Sequence, residues 1–358
     1  MLETIREYAV ERLEASTEAV AVQTRYADFF AALAESANLC VEAVDEGRLP
    51  RIELVLPDQA NLRATLDWAL EGDPELGLRL AAFLEQFWVM QNPFEGMRRF
   101  EALLGRAPGA SPLLRARALR CLGGSSVFAG DYARAIGANK QALELYREAG
   151  DEVGEMTMIF RLGSANLNLG EIDRARGLLE ESLAGFRRVG KKMGECEASG
   201  ELASLELDHG DARLGRVLLE QNIELAREVG FTWWEAGKLH HLAEHAIGAG
   251  ELEEGERRAR EALELHWRMD DRSGKVYDLA ILAWAAAERR DAHRAGKLWG
   301  PIEAEETRGP VGRGWEAQRG EYASHLASVA GPEFEQARRE GSRLSLDEAV
   351  EYALGSLN

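Results

Sequence analysis

The chain has 358 residues, with 62 Asp and Glu against 43 Lys and Arg and a formal charge of −19. Its 46% hydrophobic content is enough for a core, which excludes wholesale disorder, and so acidic a surface repels phosphate backbones, which excludes direct nucleic-acid binding. No apolar run approaches the ~20 residues of a membrane helix. The N-terminus is charged and reads as no secretory segment, and Cys40, Cys121 and Cys196 are spaced for neither a disulfide framework nor zinc, so the expected compartment is a reducing cytoplasm.

In chain order, helices are predicted over residues 2–14 and 18–46, followed by a looser stretch around Pro50 to Pro57. Further helices are predicted over 58–71 and 74–90, the second capped by Asp73 with Pro74 in its first turn. Pro93 opens a short helix to Leu104, residues 107–111 form a linker, and Ser111-Pro112 opens a regular array.

That array repeats every 40 residues. Turns recur at Gly130-Asp131, Gly170-Glu171, Gly210-Asp211 and Gly250-Glu251, with Arg290-Asp291 as a degraded fifth. A second set lies at Gly150-Asp151, Gly190-Lys191, Gly230-Phe231 and Asp270-Asp271. The segments between them are rich in Ala, Leu, Glu and Arg and lack period-two alternation, so each unit is a helical hairpin. Glycine ends one helix and an acidic residue favours the next start.

Four columns hold register. Leu122, Leu162, Leu202, Leu242 and Leu282 are each followed by a small residue: Gly123, Gly163, Ala203, Ala243 and Ala283. Twelve positions later stand Ala135, Ala175, Gly215, Gly255 and Ala295, and eight further Leu143, Leu183, Ile223 and Leu263. Small residues let helix backbones approach, and the leucines fill the space between successive pairs. The fold class is all-α, a solenoid of helical hairpins. After Gly300-Pro301 the repeat decays into a loop from Thr307 to Gly314 and helices over 315–329, 332–341 and 346–354, the last with a capping box of Ser345 and Glu348.

The Leu-small pair followed twelve residues on by a small residue resembles the tetratricopeptide repeat (TPR), in the 40-residue form of large bacterial regulatory ATPases; this implies a right-handed superhelix. The segment MLETIREYAVERL (1–13) resembles the stretch behind the winged-helix part of NB-ARC-like (STAND) signal-transduction ATPases. Tyr26-Ala-Asp-Phe-Phe30, Asn61-Leu-Arg-Ala-Thr-Leu-Asp-Trp-Ala-Leu70, Glu95-Gly-Met-Arg-Arg99 and Ser345-Leu-Asp-Glu-Ala-Val350 continue that likeness in order. The resemblance implies a sensor region lying behind an N-terminal ATPase module. The expected divisions are an N-terminal helical segment (1–72), a degenerate repeat (73–110), the TPR-like array (111–307) and a C-terminal cap (308–358).

Motifs for chemistry have plainer readings. Residues 185–192 imitate a phosphate loop, but the first glycine lies within a predicted helix and Lys192 replaces the hydroxyl. His241-Leu-Ala-Glu244-His245 fits H-x-x-E-H, yet Leu242 and Ala243 occupy core columns and no third ligand presents itself. No catalytic residue, metal or cofactor is therefore assigned, although a zinc-dependent hydrolase at this segment remains a rival reading.

The stripe of the first helices left over by the core columns does not repeat its chemistry. It reads Arg120 and Phe128; Phe160, Arg161, Ser164 and Asn168; Glu201, Ser204 and Asp208; His240, His241 and Glu244; Tyr277, Ile281 and Trp284. A variable lining on a regular scaffold is what a binding groove requires. The groove is expected to hold a protein, a peptide or a small-molecule inducer, chiefly through Arg120, Phe160, Arg161, Asn168, Glu201, Asp208, His241, Glu244, Tyr277 and Trp284. Removing Arg161 and Trp284 is expected to weaken binding at little cost to folding. The chain is read as a non-enzymatic sensor of a transcription regulator, with a free-standing assembly scaffold as the alternative.

Overall fold

A computed structural model describes residues 12, 17–37, 39, 51–312 and 314–355, so the 1–13 segment carrying the ATPase-type motif lies almost wholly outside the described residues. Eighteen α-helices and no strand are found among the described residues. No helix among them is long and apolar enough to cross a membrane.

Five hairpins form the array: α6 (Pro112–Phe128) with α7 (Tyr132–Ala149), α8 (Glu152–Asn168) with α9 (Ile172–Val189), α10 (Lys192–His209) with α11 (Ala212–Val229), α12 (Thr232–Gly248) with α13 (Leu252–Arg268), and α14 (Arg272–Glu288) with α15 (Ala292–Glu306). The acidic residues after the turns act as caps: the Asp131, Asp151 and Asp291 carboxylates accept from the backbone N–H groups of Arg134, Gly154 and Arg294. Gly150, Gly190 and Gly230 end their helices in the left-handed region, whereas Asp270 and Arg290 adopt φ of 51° and 63° without being glycine. Gly210 differs, at φ −126°.

The small columns are close contacts. A Cβ on Gly215 would stand 2.3 Å from the Leu207 backbone nitrogen, so α10 and α11 meet main chain to side. Ile223 and Leu263 are fully buried between successive hairpins. First helices also pack on the first helices of neighbouring units, which puts them on the inner curve.

Before the array come α1 (Ala19–Ala37), two 3-10 turns (Ile52–Leu54 and Leu56–Asp58), α2 (Gln59–Gly72), α3 (Pro74–Ala82), α4 (Glu85–Gln91) and α5 (Pro93–Arg106). The single helix expected over 74–90 is in fact two. Its ladder tightens at Leu84, whose N–H donates to the Ala81 carbonyl at 3.0 Å, and the break redirects α4 so that Glu85 and Trp88 both point inward. After the array come α16 (Trp315–Leu326), α17 (Pro332–Gly341) and α18 (Leu346–Leu354). Pro301 does not stop α15, which continues to Glu306.

The two ends approach each other across the inner side. Gln91 at the end of α4 donates to the carbonyl of Asp270, 179 positions on, at 2.7 Å. Trp233 and Met269 pack against the N-terminal core, and Gly312 sits against Pro93 and the Phe128 carbonyl. The inner curve is thus walled at one end by α4 and at the other by α16.

Candidate functional site

The inner side holds an open cavity of about 440 Å³. Its aromatic wall comes from Phe128 on α6, Trp233 and Trp234 on α12 and Tyr277 on α14, and its polar wall from Glu201, Ser204 and Asp208 on α10 with Lys238, His240, His241 and Glu244 on α12. A deeper pocket of about 100 Å³ shares Trp233, Trp234, Ser164 and Glu201 with it and ends on Glu85, Gln86, Phe160, Arg161 and Glu197. A third hollow of about 220 Å³ lies toward α16, between His245, Trp284, Tyr322 and His325.

The polar groups are held by one another. Lys238 Nζ donates to Glu201 Oε1 and to Ser204 Oγ, both at 3.0 Å, and lies 4.4 Å from the Trp234 ring centre. His241 Nδ1 is 3.1 Å from Ser204 Oγ and its Nε2 2.9 Å from Asp208 Oδ1. Burial alone would push the Asp208 carboxyl up, but the bond from His241 holds it below the usual carboxylate range. Tyr322 donates to Glu244 Oε1 at 2.8 Å; burial and that carboxylate push the phenol well above its ordinary value. Trp284 stacks on His325 with ring centres 3.9 Å apart.

Behind the wall, Asp278 is fully buried between two imidazoles, with His240 Nδ1 at 2.7 Å and His266 Nδ1 at 2.6 Å. Burial would raise this carboxyl, yet the two histidines hold it low. At the deep end Glu85 lies between Arg161 at 2.8 Å and Arg120 at 3.1 Å, with Glu85 and Arg120 almost wholly buried. Here too burial acts upward and the guanidinium charges win, leaving Glu85 below its ordinary range.

The structure therefore distributes the ten expected residues unevenly. Asn168, Glu201, Asp208, His241, Glu244 and Tyr277 line the main cavity, Phe160 and Arg161 the deep pocket, and Trp284 the third hollow. Arg120 lines none of them: it is the inner half of the buried pair with Glu85. Arg161 carries the same ion cluster, so its removal is not free of folding cost as expected from sequence. The H-x-x-E-H segment is not arranged as a metal site: both ring nitrogens of His241 face Ser204 and Asp208, Glu244 accepts from Tyr322, and no group of three ligating side chains able to hold a metal is found among the described residues.

Sequence reading missed Trp233, Trp234, Lys238 and Glu197. They continue the same stripe one and two turns toward the helix N-termini, and that extension alone would have found them. Gln86 and Gln318, from α4 and α16, carried no signal, because no repeat places them there.

No protein-family model matches the chain. Over 164 residues, 42% of the chain, it is 34% identical to a protein named "Putative HTH-type transcriptional regulator" in Mycobacterium bovis, and equally to one of that name in Mycobacterium tuberculosis. That stretch is 18% of the relative, so the chain matches less than a fifth of the length of these curated relatives. Among solved structures, a Rap protein complexed with Competence and Sporulation Factor is similar over 95% of this chain and 90% of its own, with a TM-score of 0.55 and 12% identity. The TPR-like repeats of a Podospora anserina kinesin light chain-type protein cover 55% of this chain and 97% of their own, with a TM-score of 0.38 and 16% identity. At such identities the likeness concerns the fold: the chain is an all-α, TPR-like solenoid, part of which matches mycobacterial transcription-regulator sequences.

Proposed function

We propose that the chain is a non-catalytic recognition module whose inner cavity binds a peptide or a small inducer and reports that binding to a transcription regulator. The observation that carries this reading is the cavity itself. Five hairpins repeat their core chemistry, while the stripe facing the cavity presents a different set of aromatic and charged groups from every unit. The factor held by the Rap protein and the regulator name of the mycobacterial relatives support the choice of ligand and of output. Binding would act by favouring one of two arrangements of the array against a neighbouring module.

The finer reading, a sensor behind an NB-ARC-like ATPase, rests on the 1–13 segment and its downstream landmarks. A phosphate loop and winged helix encoded in frame upstream of Met1 would support it, and coding sequence lacking both would refute it.

The groove is tested with Asn168→Ala combined with Gln318→Ala, since both line the cavity from exposed positions. In a thermal-shift screen of short peptides and metabolites, a compound that raises the wild-type melting temperature should lose that effect in the double variant. The variant's own melting temperature should stay within about 1–2 °C of wild type, as expected for exposed substitutions. Unchanged stabilisation of the variant by every hit would overturn the groove.

A further inference from the structure

The deep pocket contains one group that the internal bonding of the cavity leaves out. Glu197, on α10, is only 5% exposed and lines this pocket, yet among the described residues it takes no hydrogen bond and no ion pair. The other acids lining the main cavity and the deep pocket have partners: Glu85 has Arg120 and Arg161, Glu201 has Lys238, Asp208 has His241 and Glu244 has Tyr322. Buried carboxyls are ordinarily bonded, and a lone one aimed into a cavity is a candidate for a ligand's donor.

The surroundings select the kind of donor. Phe160, Phe231, Trp233 and Trp234 wall the pocket, and aromatic faces beside a carboxyl attract an ammonium group. Of the nearby cations, Lys238 is paired with Glu201, and Glu85 offsets one of the two guanidinium charges of Arg161 and Arg120, neither of which comes within ion-pair distance of Glu197. Farther out, Asp208 and Glu244 add negative charge, and the chain as a whole carries −19.

We infer that Glu197 is the anchor for a primary ammonium group, so that the ligand enters the deep pocket amine first with an apolar or aromatic body lying against Trp233 and Trp234. This deepens the groove reading and rests on it. The shared chemistry is a free amine, which a peptide's amino terminus or a small biogenic amine would equally supply. Burial pushes the Glu197 carboxyl up to about 7, with Arg161 opposing, so near neutrality part of the population is protonated. Ammonium binding then breaks the Glu197 O–H bond, leaves the carboxylate paired with the ligand and releases the proton to bulk solvent.

The test uses four probes on the full chain by calorimetry at pH 6, in two buffers of different ionisation enthalpy. Tryptamine and the dipeptide Trp-Gly carry the amine; N-acetyltryptamine and N-acetyl-Trp-Gly do not. At least one free amine should bind tenfold or more tighter than its acetylated form and release up to about one proton per ligand. Glu197→Gln, which keeps the shape, should equalise the pair and abolish the release. Preference for tryptamine over Trp-Gly assigns the pocket to small amines, and the reverse assigns it to peptide termini. Equal binding of free and acetylated forms, an unaffected Glu197→Gln variant, or no binding by either amine overturns the anchor. If screening hits still respond to Asn168→Ala with Gln318→Ala, the groove survives that failure; if they do not, the groove itself has failed.

Discussion

His266 Nδ1 lies 2.6 Å from Asp278 Oδ2, and neither side chain reaches solvent. His266 comes from α13, the outer helix of the fourth hairpin, and Asp278 from α14, the inner helix of the fifth. The same carboxylate carries His240 on its other oxygen, so a cavity-lining imidazole is oriented by a group it shares with the repeat boundary.

Asp278→Ala would leave two imidazoles facing an uncompensated buried hole, and should cost roughly 3–5 kcal/mol in urea unfolding. Because the folded-state carboxyl is depressed, its contribution is complete above the unfolded-state value and disappears as pH falls through the folded one. Wild type should therefore lose stability more steeply on acidification than the variant. Parallel urea midpoints from pH 7 to pH 3 check this.

Glu197 has the opposite sign. Its carboxyl is raised by burial, so the folded state holds the proton more tightly, and stability falls as pH rises from the ordinary glutamate range through about 7. Glu197→Gln removes that penalty. It should stabilise the fold at pH 8, by at most about 3 kcal/mol and so with a higher melting temperature, and change it little at pH 5.

Arg120→Ala leaves Glu85 with Arg161 alone and empties the space of a wholly buried side chain, and should destabilise by roughly 3–5 kcal/mol. Arg161→Ala should cost less, because Arg161 is the more exposed of the two and its removal leaves a smaller buried hole. Equal, negligible effects in chemical unfolding would show that the cluster does not support α4.

Two glycines make a matched pair. A Cβ on Gly300 would stand 2.1 Å from the Arg338 carbonyl oxygen, where α15 and α17 run backbone to backbone, so Gly300→Ala should cost roughly 1–3 kcal/mol. Gly320, exposed within α16, has nothing within 4 Å, and Gly320→Ala should gain roughly 0.5–1 kcal/mol. Thermal melts of the two variants should move in opposite directions.

The hairpins were legible because packing between identical units forces identical columns: Leu242 and Ala243 repeat Leu122 and Gly123 for one geometric reason. The stripe from Phe160 to Trp284 was legible as what those columns leave over. Arg120 was misplaced because periodicity reports a helix face and not what stands opposite it. Glu85 occupies that place only through the break at Leu84, which no repeat encodes. Likewise Asp278 and His266 are 12 positions apart on different helices, and neither residue type nor spacing announces their meeting.

The bond from Gln91 to the Asp270 carbonyl changes what kind of object this solenoid is. An array whose units touch only their neighbours can be shortened from either end and keep most of its shape. Here the connected cavities take walls from both ends, Glu85, Gln86 and Val89 from α4 and Gln318 from α16, so deleting either terminal part would strip one wall away while leaving the middle hairpins folded. A shortened chain would thus retain its helical spectrum and still lose part of its binding surface. Whatever moves α4 away from α14 also acts directly on the volume enclosed between them.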